Sequence, residues 1–278
     1  METPTRVTVP GLRGMKRRGE RFTMLTAYDY PIARVLDQAG VEVVLVGDSL
    51  GMVGLGYDST VPVTMEEMLH HAKAVRRGVR RALLVGDMPF MSFQVNPEQA
   101  VVNAGRFLKE AGCDAVKVEG GAEALAAATA IVAIGIPVMG HLGLTPQTAG
   151  RFGGFKVQGR DAASAAALLR AAVALEAAGC FAVVLECVPD VVAKRITARL
   201  TIPTIGIGAG PSCDGQVVVT QDLLGLYDRF SPRFVKRYAE LGQAATNAVR
   251  EFSRDVRQGR FPTAAHTFTV KAAKGPRG

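Results

Sequence analysis

AVKVEG, at residues 115–120, is an apolar β-strand pattern that also carries two charges. Side chains alternate between the two faces of a strand, so Val116 and Val118 share one face while Lys117 and Glu119 share the other. A central strand of a large α/β protein carries charges on its inner face only where they are compensated, because a buried unpaired charge is costly. The stretch therefore indicates a site in which these two charges meet others.

The same pattern recurs along the chain. AGCDAVKVEG (111–120) is matched in register by AGCFAVVLEC (178–187), and each segment places a glutamate at the end of a valine-rich run. Taken together, four apolar runs finish in a carboxylate, at Asp48, Asp87, Glu119 and Glu186. Four such endings favour one common cause over four separate structural roles.

Apolar runs alternate with helical patterns from about residue 21 to residue 225. The predicted strands cover residues 21–27, 41–47, 82–86, 115–120, 136–142, 181–187, 202–210 and 216–220. Between them we predict helices, one opened by a capping box of Thr64 and Glu67 and another by the Asn96–Pro97 pair. Eight βα units in about 200 residues predict an α/β fold, a (β/α)8 TIM barrel, rather than an open doubly wound sheet.

The barrel sets the expected domain organisation. We predict an N-terminal segment over residues 1–20, a single barrel domain with C-terminal helices over residues 21–262, and a disordered basic tail over residues 263–278. Active sites of TIM barrels lie at the C-terminal ends of the strands. The residues that fall at those ends, and are therefore predicted to meet at the barrel mouth, are Asp48, Asp87, Glu119, His141 and Glu186.

Carboxylates crowd together only when a cation or a proton compensates them. Oxygen ligands without cysteine or paired histidine favour a hard ion such as Mg²⁺ over zinc. We therefore assign Asp48, Asp87 and Glu119 as candidate Mg²⁺ ligands, which leaves Glu186 to act as a base. The adjacent pair His70 and His71 lies in a predicted helix far from the strand ends, and we interpret it as a solvated helix face.

Each of these residues also has a structural interpretation. A strand-end aspartate such as Asp48 often caps the following helix, Lys117 can be a structural ion-pair partner, and His141 can be a hydrogen-bonded buried histidine. These alternatives stay open for single residues, whereas four carboxylates at four strand ends make a collective structural explanation weaker.

Composition narrows the class of protein. Hydrophobic residues make up 48% of the chain and charged residues 21%, which permits a sizeable core. No apolar run approaches the roughly 20 residues that span a bilayer, and the N-terminus lacks the apolar stretch of a signal peptide. We expect a soluble, cytoplasmic protein without a membrane partner. The four cysteines form no CxxC pair and are expected to be reduced structural thiols.

The formal net charge of +8 permits nucleic-acid binding. The basic residues cluster in KRRGER (16–21), VRRGVRR (75–81) and the tail KAAKGPRG (271–278), and the chain has no tryptophan and no basic groove interleaved with aromatic residues. We interpret the clusters as solvated helix ends and a loose tail and expect no nucleic-acid partner. A positive field can still draw anionic substrates inward.

The sequence resembles the 3-methyl-2-oxobutanoate hydroxymethyltransferase family, also called ketopantoate hydroxymethyltransferases, over about residues 20 to 262. Gln221 departs from the family pattern, which has a histidine there. The segments that carry the resemblance are TAYDY (26–30), VGDSLGMVGLGYDSTVPVT (46–64), HHAKAVRRG (70–78), DMPF (87–90), VKVEGG (116–121), GHLGLTPQT (140–148), GGFKVQGR (153–160), LECVP (185–189), IGIGAG (205–210) and DGQVVV (214–219).

The resemblance implies a TIM barrel of the phosphoenolpyruvate/pyruvate-binding type that assembles as a cytoplasmic homodecamer. It implies transfer of a one-carbon unit from 5,10-methylenetetrahydrofolate to 3-methyl-2-oxobutanoate, giving 2-dehydropantoate for pantothenate and coenzyme A synthesis. The small-molecule substrates would react through an enolate that Mg²⁺ stabilises. The implied roles are Mg²⁺ binding by Asp48, Asp87 and Glu119, keto-acid binding by Asp48, Ser49, Asp87 and Lys117, catalysis by Glu186 as base, and possible support by His141.

Two other functions compete with this one. A Mg²⁺-dependent lyase of the isocitrate lyase or phosphoenolpyruvate mutase type would use the same barrel and metal, but such enzymes usually carry a catalytic cysteine in a loop, and no KKCGH-like motif is present. A non-enzymatic basic protein that binds RNA would leave the carboxylates at the strand ends unexplained, because they repel phosphate.

Overall fold

A computed structural model describes residues 5–229 and 232–269 of the 278-residue chain. Within these residues eight parallel strands form a closed barrel in the order of the sequence, and β1 pairs with β8 to complete it. The strands are β1 (Phe22–Thr26), β2 (Val43–Val46), β3 (Leu83–Asp87), β4 (Ala115–Glu119), β5 (Val138–Gly143), β6 (Ala182–Glu186), β7 (Thr204–Ile207) and β8 (Gly215–Val218). The predicted TIM barrel is confirmed.

Helices connect the strands and surround the sheet. In the described part of the chain they are α1 (Val9–Arg18), α2 (Tyr30–Gln38), α3 (Leu50–Val53), α4 (Met65–Gly78), α5 (Pro97–Lys109), α6 (Leu125–Ala133), α7 (Ala162–Ala177), α8 (Asp190–Arg199), α9 (Thr220–Leu223) and α10 (Leu241–Arg257). The predicted capping box of Thr64 and Glu67 opens α4, and Asn96 caps α5 with Pro97 in its first turn. Short 3₁₀ segments cover Ala122–Ala124, Pro146–Phe152 and Ala264–His266.

Two apolar layers follow from the alternation of side chains along the strands. The outward-facing residues of β4, Val116 and Val118, belong to the layer packed between sheet and helices. The inward-facing Ala115 belongs to a separate cluster inside the barrel, together with residues such as Met139 and Val184. Because Lys117 and Glu119 follow Ala115 at intervals of two, they lie on the same inner face, nearer the C-terminal end.

The N-terminal end of the barrel is closed by α1. Leu12 is fully buried in the interior cluster with Phe22 and Met24. Lys16 reaches the same end of the barrel, where its Nζ lies 2.9 Å from Asp214 Oδ2 and 3.0 Å from the carbonyl oxygen of Thr197. A closed bottom leaves the C-terminal ends of the strands as the mouth of the barrel.

The C-terminal region from Pro232 onward differs from the predicted C-terminal helices of the barrel domain. Only α10 forms an α-helix there in the described residues, and no residue of α10 is buried. Pro232 and the segment up to Glu240 form turns and extended chain. The predicted basic tail begins with the 3₁₀ turn Ala264–His266, and its last part, residues 270–278, lies outside the described residues.

The four cysteines are free thiols, as expected. Cys113, Cys180 and Cys213 are buried, and Cys187 is half-buried. No helix in residues 5–229 and 232–269 has the length and apolar character needed to cross a membrane.

Candidate active site

Three carboxylates meet at the mouth of the barrel. Asp48 follows β2, Asp87 ends β3 and Glu119 ends β4, and all three are buried. An oxygen of each lies within 4.8 Å of the others. The backbone N–H of Asp48 also donates to Asp87 Oδ2 at 3.0 Å, which ties the first two strand ends together. The prediction that carboxylates from separate strands converge at one place is confirmed by this geometry.

Lys117 is the cation that lies among these carboxylates. It is paired in register with Asp87 on the neighbouring strand, and its Nζ lies 2.9 Å from Asp87 Oδ1. The same nitrogen lies 3.3 Å from Glu119 Oε1 and 3.1 Å from His141 Nδ1. Lys117 is 3% exposed, so its charge is compensated by protein groups rather than by water. Burial alone would lower the pKa of Lys117, but Asp87, Glu119 and Asp48 outweigh it and hold the pKa above its ordinary value.

His141 joins two of the glutamates. It is paired in register with Glu119, and its Nδ1 lies 3.2 Å from Glu119 Oε1 while its Nε2 lies 3.0 Å from Glu186 Oε2. Burial and the charge of Lys117 lower the pKa of His141, but the two carboxylates outweigh them and raise it to about 9. The two glutamates thus favour the charged form of His141, and the neighbouring charge of Lys117 opposes it.

The surroundings shift the pKa values of the carboxylates in opposite directions. Burial raises the pKa of Asp48 well above its ordinary value, and the charges of Asp87 and Glu119 add to the increase. Burial also raises the pKa of Asp87, against the opposing charge of Lys117. For Glu119, burial is outweighed by Lys117 and His141, which hold its pKa at about 2. One lysine and one histidine thus compensate the cluster only in part, and the pKa values of Asp48 and Asp87 stay raised.

This incomplete compensation fits a divalent cation. Three buried carboxylates offer the hard oxygen ligands that Mg²⁺ prefers, and a further positive charge would favour the ionised form of Asp48, whose pKa burial raises. Residues Asp48, Asp87 and Glu119 are the ones that could hold the ion. Neither histidine of α4 belongs to this cluster, since His70 is exposed and His71 Nδ1 contacts the carbonyl oxygen of Tyr28, after β1.

Glu186 ends β6 and lies across the mouth from this cluster. Its side chain is 16% exposed, more than that of His141 beside it. Its backbone is fixed by close packing, because a Cβ at Gly143 on β5 would lie 2.1 Å from the carbonyl oxygen of Glu186. The next residue, Cys187, has φ +48°, a conformation that side chains rarely adopt. The strand end that carries the candidate base is therefore closely packed against β5.

Ser49 is held by a residue that the sequence did not single out. The hydroxyls of Tyr28 and Ser49 lie 2.8 Å apart, and the carbonyl oxygen of Tyr28 lies 2.6 Å from His71 Nδ1. The interpretation of His70 and His71 as a solvated helix face is wrong for His71, which is half-buried against the end of β1. Tyr28 and His71 gave no periodicity or strand-end signal, because their contacts depend on how α4 packs on the barrel.

Gln147 is a second residue whose position the sequence did not predict. It is buried in the 3₁₀ segment after β5, and it contacts both Asp48 and Glu119. The motif GHLGLTPQT contains it, but no spacing rule relates a loop glutamine to strand ends elsewhere in the chain.

A cavity of about 100 Å³ lies between the two sides of the mouth. The predicted site residues all line it, namely Asp48, Ser49, Asp87, Lys117, Glu119, His141 and Glu186. Apolar side chains complete the wall, among them Val184, Ile207 and Val219. The cavity thus combines a charged side with an apolar side, which suits a small molecule that has an anionic end and an aliphatic end.

Comparison with known proteins identifies close relatives. The family model for ketopantoate hydroxymethyltransferase matches residues 6–264. The 3-methyl-2-oxobutanoate hydroxymethyltransferase of Moorella thermoacetica is 59% identical over 268 residues, which cover 96% of this chain and all of the relative. The protein of the same name from Heliobacterium modesticaldum is 57% identical, over 95% of each chain.

Solved structures of lower identity share the fold. A phosphonopyruvate hydrolase in complex with oxalate and Mg²⁺ has a TM-score of 0.62 and 16% identity, and the match covers 95% of this chain and 92% of that chain. A 2,3-dimethylmalate lyase of the PEP mutase/isocitrate lyase superfamily has a TM-score of 0.58 and 15% identity, with 94% and 91% covered. At such identities the match shows the barrel type alone, which confirms the predicted fold.

Binding of Mg²⁺ should release protons and strengthen as pH rises. The pKa of Asp48 is raised by burial and by its neighbours, so the proton must leave before the carboxylate can act as a ligand. Isothermal titration calorimetry between about pH 6 and about pH 9, in buffers of different ionisation enthalpy, measures both quantities. The exposed Asp58→Asn variant is the matched control and should behave like the wild type. An affinity that does not change with pH, without proton release, would contradict this assignment.

Proposed function

Since the chain belongs to the ketopantoate hydroxymethyltransferase family, we propose that it transfers a one-carbon unit from 5,10-methylenetetrahydrofolate to 3-methyl-2-oxobutanoate. The product would be 2-dehydropantoate, a step in pantothenate and coenzyme A synthesis. The observation that carries the proposal is the pairing of a buried three-carboxylate cluster with a glutamate across one cavity of about 100 Å³. Such a pairing provides both a site for a divalent ion and a base for a carbon acid.

The reaction requires removal of a proton from C3 of the keto acid, which is a weak carbon acid. When bound, Mg²⁺ would act as a Lewis acid that polarises the keto group and stabilises the enolate charge. We assign Asp48, Asp87 and Glu119 as the residues that would hold it. We assign substrate binding and proton transfer to other side chains of the protein.

Substrate binding is assigned to the charged side of the cavity. Lys117 lies in the cavity wall as a fixed positive charge, which would attract the carboxylate or the keto oxygen of the substrate. Ser49, held by the Tyr28 hydroxyl, would donate to the substrate carboxylate. Asp48 and Asp87 would also border the bound keto acid. The apolar side chains Val184 and Ile207 would then face its isopropyl group.

Proton transfer is assigned to Glu186. Its carboxylate would accept the C3 proton, and a positioned base of this kind contributes roughly 10² to 10⁴-fold in rate. His141 supports it, because the imidazole Nε2 lies 3.0 Å from Glu186 Oε2 and would place a positive charge beside the carboxylate when the ring is protonated. The C3 carbanion would then attack the methylene carbon of the folate, and the new C–C bond would form as one C–N bond breaks with its electron pair going to nitrogen. Water would supply the hydroxyl of the product as the second C–N bond breaks, which releases tetrahydrofolate.

A lyase of the isocitrate lyase type shares the fold but is less well supported. The solved structures that resemble this chain at 13–17% identity bear on its fold and not on its reaction. The chain has no KKCGH-like motif, and Cys187, the cysteine beside Glu186, has its pKa raised to about 12 by burial. A thiol in that state is a poor acid near neutral pH.

The Glu186→Gln variant separates the proton-transfer step from metal binding. The wild-type protein with Mg²⁺ should exchange the C3 proton of 3-methyl-2-oxobutanoate with deuterated water and should form 2-dehydropantoate only when methylenetetrahydrofolate is added. Glu186→Gln should lose both reactions by roughly 10²-fold or more, because the amide cannot accept the proton. NMR measures exchange and product, and EDTA should abolish both.

The control is the affinity of Glu186→Gln for Mg²⁺, which should stay close to that of the wild type because Glu186 lies outside the ligand cluster. Undiminished exchange in the variant would remove Glu186 as the base. Cleavage of a 2-methylmalate-type substrate without folate, and no folate-dependent product, would favour the lyase.

We also propose that the chain assembles with copies of itself, as a homodecamer. The support is α10, whose apolar side chains Val249, Phe252 and Val256 lie on one helical face and are 47–63% exposed. A second copy of the chain is the occupant that we assign to this face. The opposite face of the helix is polar, with Gln243 hydrogen-bonded to Asn247.

A charge on the apolar face of α10 should weaken this assembly. Phe252→Glu would bury a carboxylate in the proposed interface, which is costly. The sedimentation coefficient of this variant should therefore fall toward that of a smaller species. Gln243→Glu, on the polar face of the same helix, should sediment like the wild type. A wild-type protein that sediments as a monomer, or a Phe252→Glu variant with unchanged sedimentation, would overturn the proposal.

A further inference from the structure

Gln147 connects the metal-ligand candidates that different strands provide. Its side chain enters the mouth from the 3₁₀ segment Pro146–Phe152, and the residue is 4% exposed. The amide Nε2 donates to Asp48 Oδ2 at 3.0 Å and to the carbonyl oxygen of Met88 at 2.9 Å. Its backbone N–H donates to Glu119 Oε2 at 3.2 Å. One residue therefore contacts the ends of β2 and β4 and the residue that follows β3.

The orientation of the Gln147 amide is determined by its partners. A carboxylate and a backbone carbonyl can only accept, so the nitrogen of the amide must face both of them. The oxygen Oε1 accepts from Gln94 Nε2 at 3.0 Å, and Gln94 Oε1 in turn accepts from the backbone N–H of Phe93 at 3.3 Å. If the Gln147 amide were flipped, at least one of these groups would lose its hydrogen bond.

We propose that Gln147 is a positioning residue for the metal centre, and that Gln94 holds it in the active orientation. The side chain of Gln147 fixes the carboxylate of Asp48 beside Glu119 before an ion binds, so less ordering remains to be done on binding. The inference rests on the proposed function in one respect, namely that Asp48 and Glu119 are metal ligands.

A neutral amide suits this position for an electrostatic reason. A lysine there would hold the carboxylates together but would compete with a cation for them, as Lys117 already does in part. A glutamate would add to the repulsion that raises the pKa of Asp48. Glutamine donates two hydrogen bonds without changing the net charge of the site.

Measured Mg²⁺ affinity tests the proposal without reference to turnover. Gln147→Ala should bind Mg²⁺ about 10- to 100-fold more weakly than the wild type, the range found for partners of metal ligands. Gln94→Leu should lose less Mg²⁺ affinity, because the Gln147 amide is still present to donate, although Gln94 no longer fixes its orientation. Gln158→Ala is the matched control, since that amide lies on the same connection and donates only to the carbonyl oxygen of Lys156. Calorimetry without substrate gives each value.

The double variant Asp48→Asn/Gln147→Ala separates positioning from general loss of structure. If Gln147 acts through Asp48, the Gln147→Ala change should cost little further affinity once Asp48 is neutral, because the two residues form one unit. Equal weakening in both backgrounds, or unchanged Mg²⁺ affinity in Gln147→Ala, would overturn the inference. A wild-type protein that binds no divalent ion would instead refute the metal-dependent function itself, so the two failures are distinguishable.

Discussion

The charge of Lys117, buried among three carboxylates, is the interaction on which the mouth of the barrel depends. A lysine with 3% exposure is stable there only because Asp87, Glu119 and Asp48 compensate its charge, and the carboxylates tolerate one another only because Lys117 and His141 lie between them. The balance is incomplete, since Asp48 still has its pKa raised well above the ordinary value. A divalent cation would complete it, and the same cation would stabilise the negative charge of an enolate.

The amino-acid sequence was sufficient to predict the barrel and the residues at its strand ends. Valine-rich runs at regular intervals predict parallel strands, and alternation within AVKVEG places Lys117 and Glu119 on one face. A closed barrel brings the ends of distant strands to one rim, so the order of strands along the chain already predicts that Asp48, Asp87, Glu119, His141 and Glu186 meet there. The structure shows that the shared face of Lys117 and Glu119 is the inner one. It also shows the 2.9 Å contact between Lys117 and Asp87 and the position of His141 between two glutamates.

Residues that act through loops and helix packing could not be predicted in this way. Gln147 reaches Asp48 from a 3₁₀ segment, and His71 on α4 reaches the carbonyl oxygen of Tyr28, which follows β1. Neither arrangement leaves a periodic pattern in the sequence. More than one C-terminal helix was predicted, whereas the described residues from Pro232 onward form only α10 as an α-helix.

The most direct test of the central claim is a crystal structure of the protein with Mn²⁺ in place of Mg²⁺, with the ion located by its anomalous scattering. The account predicts one ion at the mouth of the barrel, with oxygens of Asp48, Asp87 and Glu119 either bound to it directly at about 2.0–2.3 Å or linked to it by a water. An ion bound elsewhere, or a mouth in which Lys117 alone neutralises the carboxylates at saturating Mn²⁺, would contradict it.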